Sequence, residues 1–251
     1  MRRLPDNVAV RESGFWGLLG ERDRTDFTSL ARSRVFPPGV ALCTEGEPTT
    51  HVFILLSGWV RVFTVTRDGR QVLEALRGGG DIVGEISGQV TGYRTATVQA
   101  IGTVRTLIVG GREFGEFLDA HPAAARAHRR AMAELQRAAN EQQRNHALFS
   151  GPQRLAGLLL DLAERQDGAG EGAAAASLPL SQEDLASLIS ASRSTVTRAL
   201  HAWRERRIIG TDSRRIVILD RGRLARIAGR FSKEPLSVCE NSAVGADASD
   251  E

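Results

Sequence analysis

Cysteine, lysine and long apolar runs are all scarce in this chain. Its two cysteines, Cys43 and Cys239, lie far apart and form neither a CxxC pair nor a metal-ligand spacing. A four-thiolate iron–sulfur cluster is therefore excluded, and no structural disulfide is expected in a reducing compartment. No apolar stretch approaches the ~18 residues that a membrane span requires. The N-terminus opens on Arg2 and Arg3, but no apolar core follows them. No export signal is expected on that ground, and a cytoplasmic location is. The sequence also lacks a P-loop, a GxSxG elbow and an HExxH helix. Glu45, Glu47 and Glu85 make no convincing acid–base pair, so neither an enzyme nor a metal site is expected. Lysine occurs once, at Lys233, so positive charge rests on arginine.

What is present is ordinary in amount and unusual in placement. The 251 residues are enough for one large domain or two average ones. A hydrophobic content of 41% and a charged content of 25% are those of a globular protein. The net charge of +3 is unevenly spread. Between Ser192 and Arg230 there are eleven arginines against three acids, Glu205, Asp212 and Asp220. Such clustering suits a polyanionic partner.

From about Val35 to Val109 the pattern is short β-branched and aromatic runs broken by Ser57-Gly58, Asp68-Gly69 and Gly78-Gly79-Gly80. Asp-Gly between apolar runs is a strong hairpin signal, and the whole stretch predicts a β-roll or barrel. After Gly110 a short helix is expected to about Leu118, then a long one from Pro122, a favourable first-turn residue. Along the long helix, Ala125, His128, Met132, Leu135, Ala139, Gln142, His146 and Phe149 recur at alternating steps of three and four. That is a heptad-like seam, suited either to a partner helix or to the chain's own β-domain. Ser150-Gly151-Pro152 breaks the helix and marks a hinge. Another amphipathic helix follows, then a low-complexity loop from Asp167 to Ser177. The acidic tail from Phe231 has few apolar residues and is expected to be disordered.

"LSQEDLASLISASRSTVTRALHAWRERRIIG" is the most informative stretch. Ser181 with Asp184 three residues on fits an N-cap with an acidic N3 residue. Leu185, Leu188 and Ile189 make one apolar face, and Ala191-Ser192 can turn the chain. Ser192 then caps a second helix that buries Val196, Leu200 and Trp203. This is a helix-turn-helix, with Arg193, Ser194, Thr197 and Arg198 on its outer face. An arginine there can donate two hydrogen bonds to guanine O6 and N7. Ser181, Ser192, Thr195 and nearby amides suit phosphates. "RRIIGTDSRRIVILD" reads as strand, turn, strand, a basic wing carrying Arg214 and Arg215.

Taken in order, "FPPGVALCTEGE", "GDIVGEIS", "RTATVQA", the long helix, "QRLAGLLLDLA" and "LSQEDLASLISASRSTVTRAL" resemble the cyclic-AMP receptor protein / fumarate–nitrate regulator (CRP/FNR) family over roughly residues 15–228. The resemblance implies an α+β chain. A cyclic-nucleotide-binding-type β-roll with an N-terminal helix would occupy residues 1–118. A dimerisation helix and hinge would cover 119–150, a winged helix-turn-helix 151–230 and the tail 231–251. It implies a homodimer on a pseudo-palindromic site in double-stranded DNA, RNA polymerase as a further partner, and no membrane. The implied effector is cyclic AMP or cyclic GMP. Glu85 would accept from the ribose 2′-hydroxyl, and Arg94 with Thr95 would hold the cyclic phosphate. Gly84 and Ile86 would supply backbone contacts. The family's adenine-contacting Thr-Ser pair on the long helix is here Ala139 and Asn140; only Asn140 can read a base edge. The family's recognition-helix glutamate is here Ser194, a shorter and less discriminating group. Haem sensing would need an axial His or Cys, and of five histidines only His51 lies in the roll. The alternative left open is the same DNA-binding regulator with either a degenerate, nucleotide-independent pocket, in which Glu85 and Arg94 form a structural ion pair, or a different small ligand.

Overall fold

A computed structural model describes residues 14–87, 92–167, 180–212 and 215–229. Two short helices, α1 (Phe15–Leu18) and α2 (Glu21–Leu30), precede eight antiparallel strands. These are β1 (Arg32–Phe36), β2 (Ala41–Cys43), β3 (Val52–Ser57), β4 (Trp59–Val65), β5 (Gln71–Gly78), β6 (Ile82–Val83), β7 (Thr97–Ala100) and β8 (Val104–Val109). One sheet has the order β1-β8-β3-β6 and the other β2-β7-β4-β5. Phe36, Leu55, Val60, Val98 and Val104 fill the space between them, closing the expected roll.

Strand β3 explains its own composition. "VFILLS" is apolar at nearly every position because both faces are covered. Phe53 and Leu55 point into the roll. Val52, Ile54 and Leu56 point the other way, into a cluster with Phe15, Phe27 and Phe114 from the helices. The β4–β5 hairpin turns at Asp68-Gly69, with Gly69 at φ 79° and its N–H donating to Thr66 O at 2.8 Å. Only a residue without Cβ adopts that conformation freely.

Helix α3 (Gly111–Ala120) leads into α4 (Pro122–Leu148), with Pro122 in its first turn. Ala124, Ala127, His128 and Ala131 are buried against the first cluster, a spacing of three, one and three that makes a single helical face. Alanines let the helix approach closely. The heptad-like seam therefore faces the chain itself over part of its length: His128 lies edge-on to Phe15 and Phe114, and Gln142 bonds to Leu188 O. Ala139, Asn140 and Gln143 are exposed.

The remaining elements are α5 (Gly151–Asp167), α6 (Gln182–Leu188), α7 (Arg193–Glu205), β9 (Ile209–Asp212), β10 (Arg215–Ile218) and α8 (Arg221–Ile227). They share a core of Leu155, Leu159, Leu185, Val196, Leu200, Trp203 and Leu224. β9 and β10 pair antiparallel, as expected of a wing. A further cluster joins this unit to the roll: Phe63, Leu73 and Leu76 of the β4–β5 hairpin pack on Leu162, Ala163 and Leu188. Beside it, Arg61 Nη1 lies 3.4 Å from Asp184 Oδ1, and its guanidinium stacks on Phe63. The low-complexity loop beyond Asp167 and the tail from Phe231 lie outside the described residues.

Candidate functional site: a roll pocket and a helix-turn-helix face

The pocket begins at the glycine that follows β6. Gly84 has φ 83°, and a Cβ built there would lie 2.6 Å from Arg94 Nη1 and 2.9 Å from His51 O. Glycine is required on both counts, conformation and space. The close approach lets Arg94, only 4% exposed, bind across the turn. Its Nε donates to Thr49 Oγ1 at 2.9 Å and its Nη2 to His51 O at 2.8 Å. Its Nη1 donates to Gly84 O at 3.0 Å and to Ser87 Oγ at 2.7 Å. The Phe53 ring lies beneath the guanidinium. Every one of these acceptors is uncharged.

Glu85 is 8% exposed and lines the same cavity of about 110 Å³ as Gly84, Ile86, Arg94 and Thr95. Burial pushes its carboxyl above the ordinary value; its own amide, then Arg77 and Arg94, pull it back in part. Among the described residues no ion pair joins Glu85 to Arg94, so the ion-pair alternative is not what the pocket contains. Thr95 and Ile86 are exposed at the rim. Leu135 of α4 and the buried Cys43 complete the lining, and burial raises the Cys43 thiol. Asn140 does not line this cavity. It is exposed on α4 and accepts from Gln136 Nε2 at 3.1 Å. A larger cleft of about 490 Å³ opens between β5, α4 and α5, and contains neither Glu85 nor Arg94.

Sequence reasoning missed Ser87, Thr49 and the His51 carbonyl as partners of Arg94, and Cys43, Arg77 and Leu135 as lining. Ser87 carried a signal: it stands two residues after Glu85 and closes the "GDIVGEIS" stretch. The other groups come from β2, β5, helix α4 and the segment before β3, all distant in sequence, and had none.

The second candidate site is local. Ser181 caps α6 in a reciprocal box: Asp184 N donates to Ser181 Oγ at 3.0 Å and Ser181 N to Asp184 Oδ2 at 3.0 Å. Ser190 takes a left-handed conformation at φ 47° and turns the chain one residue before the expected Ala191-Ser192. Ser192 then caps α7, accepting from Thr195 N at 3.2 Å. Its hydroxyl also lies 2.9 Å from Ser194 Oγ and 2.8 Å from Thr195 Oγ1. Thr197 Oγ1 donates to Gln182 Oε1 at 2.6 Å, tying the two helices together. Arg193, Ser194, Thr197 and Arg198 are all exposed on one side of α7, while Val196, Leu200 and Trp203 are buried on the other. Arg215 pairs with Asp212 in the wing backbone, and Arg214 lies outside the described residues.

A roll with a charged pocket and a capped helix-turn-helix with a bare basic face define a sensor-type DNA-binding protein as a class. Comparison with known proteins gives the family. A family model described as a cyclic nucleotide-binding domain matches residues 33–121, and one described as a Crp-like helix-turn-helix domain matches residues 153–227. The CRP-like cAMP-activated global transcriptional regulator of Mycobacterium tuberculosis is 32% identical over 193 residues, 77% of this chain and 86% of the relative. The nitrogen fixation regulation protein FixK of Bradyrhizobium diazoefficiens is 25% identical, over 88% of this chain and 92% of its own. Among solved structures, FixK2 of Bradyrhizobium japonicum shares the fold at a TM-score of 0.67 and 23% identity, covering 78% of this chain and 96% of that one. The chain belongs to the CRP/FNR family of transcription regulators. It is a DNA-binding regulator with a cyclic-nucleotide-binding domain.

Proposed function

We propose that the chain acts as a homodimer whose roll takes cyclic AMP or cyclic GMP, and whose paired recognition helices read a pseudo-palindromic DNA site. Residues 1–118 would form the sensor, 119–150 the dimerisation helix and hinge, and 151–230 the DNA-binding unit, in a cytoplasmic protein that also touches RNA polymerase. The carrying observation is that Gly84, Glu85, Ile86, Arg94 and Thr95, from two separate short stretches of sequence, line one cavity beside α4. Arginine offers a planar fork for a phosphate, and Glu85 can accept from a ribose hydroxyl. The cAMP-activated M. tuberculosis relative supports this effector class. On DNA, Arg193 and Arg198 would take guanine and phosphate, with Thr197 beside them. Ser181, Ser192 and Thr195 would take phosphates, joined by Arg214 and Arg215 from the wing. Ser194 would relax the base pair that glutamate reads elsewhere. Asn140 would reach the pocket of the opposite subunit once its bond to Gln136 is given up.

A second reading, a nucleotide-independent regulator, is favoured by the pocket itself. Arg94 spends four of its five N–H donors inside the chain, and about 110 Å³ is well below the roughly 300 Å³ at which small-molecule sites begin. Calorimetric titration with cyclic AMP and cyclic GMP separates the two readings. Binding that is lost in Glu85→Ala and Arg94→Lys, with folded circular dichroism spectra, supports the sensor. No heat and no thermal shift with either nucleotide overturns it in favour of the second reading.

A further inference from the structure

At the end of α6, the N–H groups of Ile189, Ala191 and Ser190 meet the carbonyls of Leu185, Ala186 and Ser187, and the carbonyls that follow need other partners. Here three consecutive ones are met by side chains from other elements. Gln142 Nε2 of α4 donates to Leu188 O at 2.9 Å. Arg154 of α5 donates from Nε to Ile189 O at 2.8 Å and from Nη2 to Ser190 O at 3.2 Å. The same guanidinium turns its Nη1 to the end of α4, donating to Phe149 O and, at 3.4 Å, to His146 O. One planar cation thus lies between two helix C-termini, where both backbones favour positive charge. Packing reinforces it. A Cβ on Gly151 would lie 2.9 Å from Thr195 Cγ2 on the recognition helix and 3.5 Å from Ala191 Cβ in the turn. The Ser150-Gly151-Pro152 break, expected to mark a hinge, is seated against the turn of the helix-turn-helix.

We propose that Arg154, assisted by Gln142, is a positioning residue that fixes the angle between α4 and the recognition helix, and so sets the half-site spacing the protein accepts. This rests on the reading of a dimer joined through α4. In a two-fold dimer each recognition helix is aimed by its own α4, and one inserted base pair rotates a half-site by about a tenth of a helical turn. A rigid link resists that rotation, whereas a loosened one follows it. The fork geometry matters more than the charge, so Arg154→Lys should fall between wild type and Arg154→Met.

The test uses full-length protein and a site selected from random DNA. Affinity is measured on that site, on versions with one base pair added or removed at the centre, and on a single half-site. Wild type should lose about 10-fold or more per altered base pair, the scale of a DNA deformation cost. Arg154→Met and Gln142→Leu should lose about 3-fold or less, with half-site affinity unchanged, a split that a general loss of stability would not produce. Both variants discriminating spacing as steeply as wild type would overturn the inference. Should Arg154→Met fail to fold, Gln142→Leu decides alone. A wild type indifferent to spacing would instead overturn the dimer reading, a distinct outcome.

Discussion

Arg94 donates from Nη1 to Ser87 Oγ at 2.7 Å, and with its other bonds this leaves the guanidinium a single N–H unengaged among the described residues. An arginine expected to await an anion instead pins the turn that would cradle it. A phosphate that takes two parallel bonds from this guanidinium must displace at least one of these acceptors, so anion binding and turn geometry are linked.

Removing that pin should be costly. Arg94→Ala is expected to destabilise the fold by ~2–4 kcal/mol, because hydrogen bonds to a charged group are among the stronger ones and the buried Ser87 loses its donor. Gly84→Ala should act in the same direction, since its Cβ would occupy the place of Nη1. Urea unfolding measures both; a change below ~0.5 kcal/mol in Arg94→Ala would show that the bonds contribute little.

Glu85 sets a pH dependence of known sign. Burial raises its folded pKa above the ordinary 4.5. Its contribution to stability is complete below that value and is lost as pH rises through the folded pKa. Glu85→Gln should therefore raise Tm at pH 7, and its advantage should vanish below about pH 4.5. Equal Tm for both proteins at pH 7 would contradict the burial argument.

On the DNA side, Arg193→Ala should cost about 1–3 kcal/mol on the selected site and relax one base position. Ser194→Glu should sharpen selection at the neighbouring pair toward cytosine, whose N4 donates to a carboxylate. Selection from random DNA, repeated with each variant, reads both effects.

Ser192 organises the start of the recognition helix. Ser192→Ala removes the side-chain acceptor of Thr195 N, leaving it the Ser192 carbonyl at 3.0 Å, and should cost ~0.5–2 kcal/mol in urea unfolding. Ser192→Asp should retain most of the stability yet weaken DNA binding, because a carboxylate repels phosphate.

His128 contributes acid sensitivity. Its Nε2 is buried without a partner among the described residues, and its ring packs edge-on to Phe15 and Phe114. Burial first, and Arg129 second, lower its pKa below 6.5. A histidine with a depressed folded pKa gives stability present above 6.5 and lost as pH falls through the folded value. His128→Phe should flatten the fall in Tm as the pH drops below 6.5 without abolishing it, since burial and Arg154 depress His146 in the same direction.

Much of the DNA-binding unit was legible in sequence because its determinants are local. The Ser181–Asp184 box and the Ser192 cap close over three residues, as the Asp68-Gly69 turn does within four in the roll, so residue type and spacing suffice. Periodicity on α4 was legible too, but not its object. A 3–4 repeat is the same whether the helix packs on a partner or on its own roll, and His128 and Gln142 turned out to contact their own chain. The Gly84–Glu85 and Arg94–Thr95 pairing was read through resemblance; nothing in the spacing alone required those residues to share a cavity.

By itself, then, the sequence determined the helix caps, the turns, the strand and helix periods and the basic face of α7, each a matter of neighbours within a few residues. The tertiary structure decided the rest. Arg94 meets Thr49 and His51 across 45 and 43 residues, and Arg154 meets Ile189 across 35. Such contacts exist only after the sheets close and the helices dock, because burial, not sequence distance, selects which donor reaches which carbonyl.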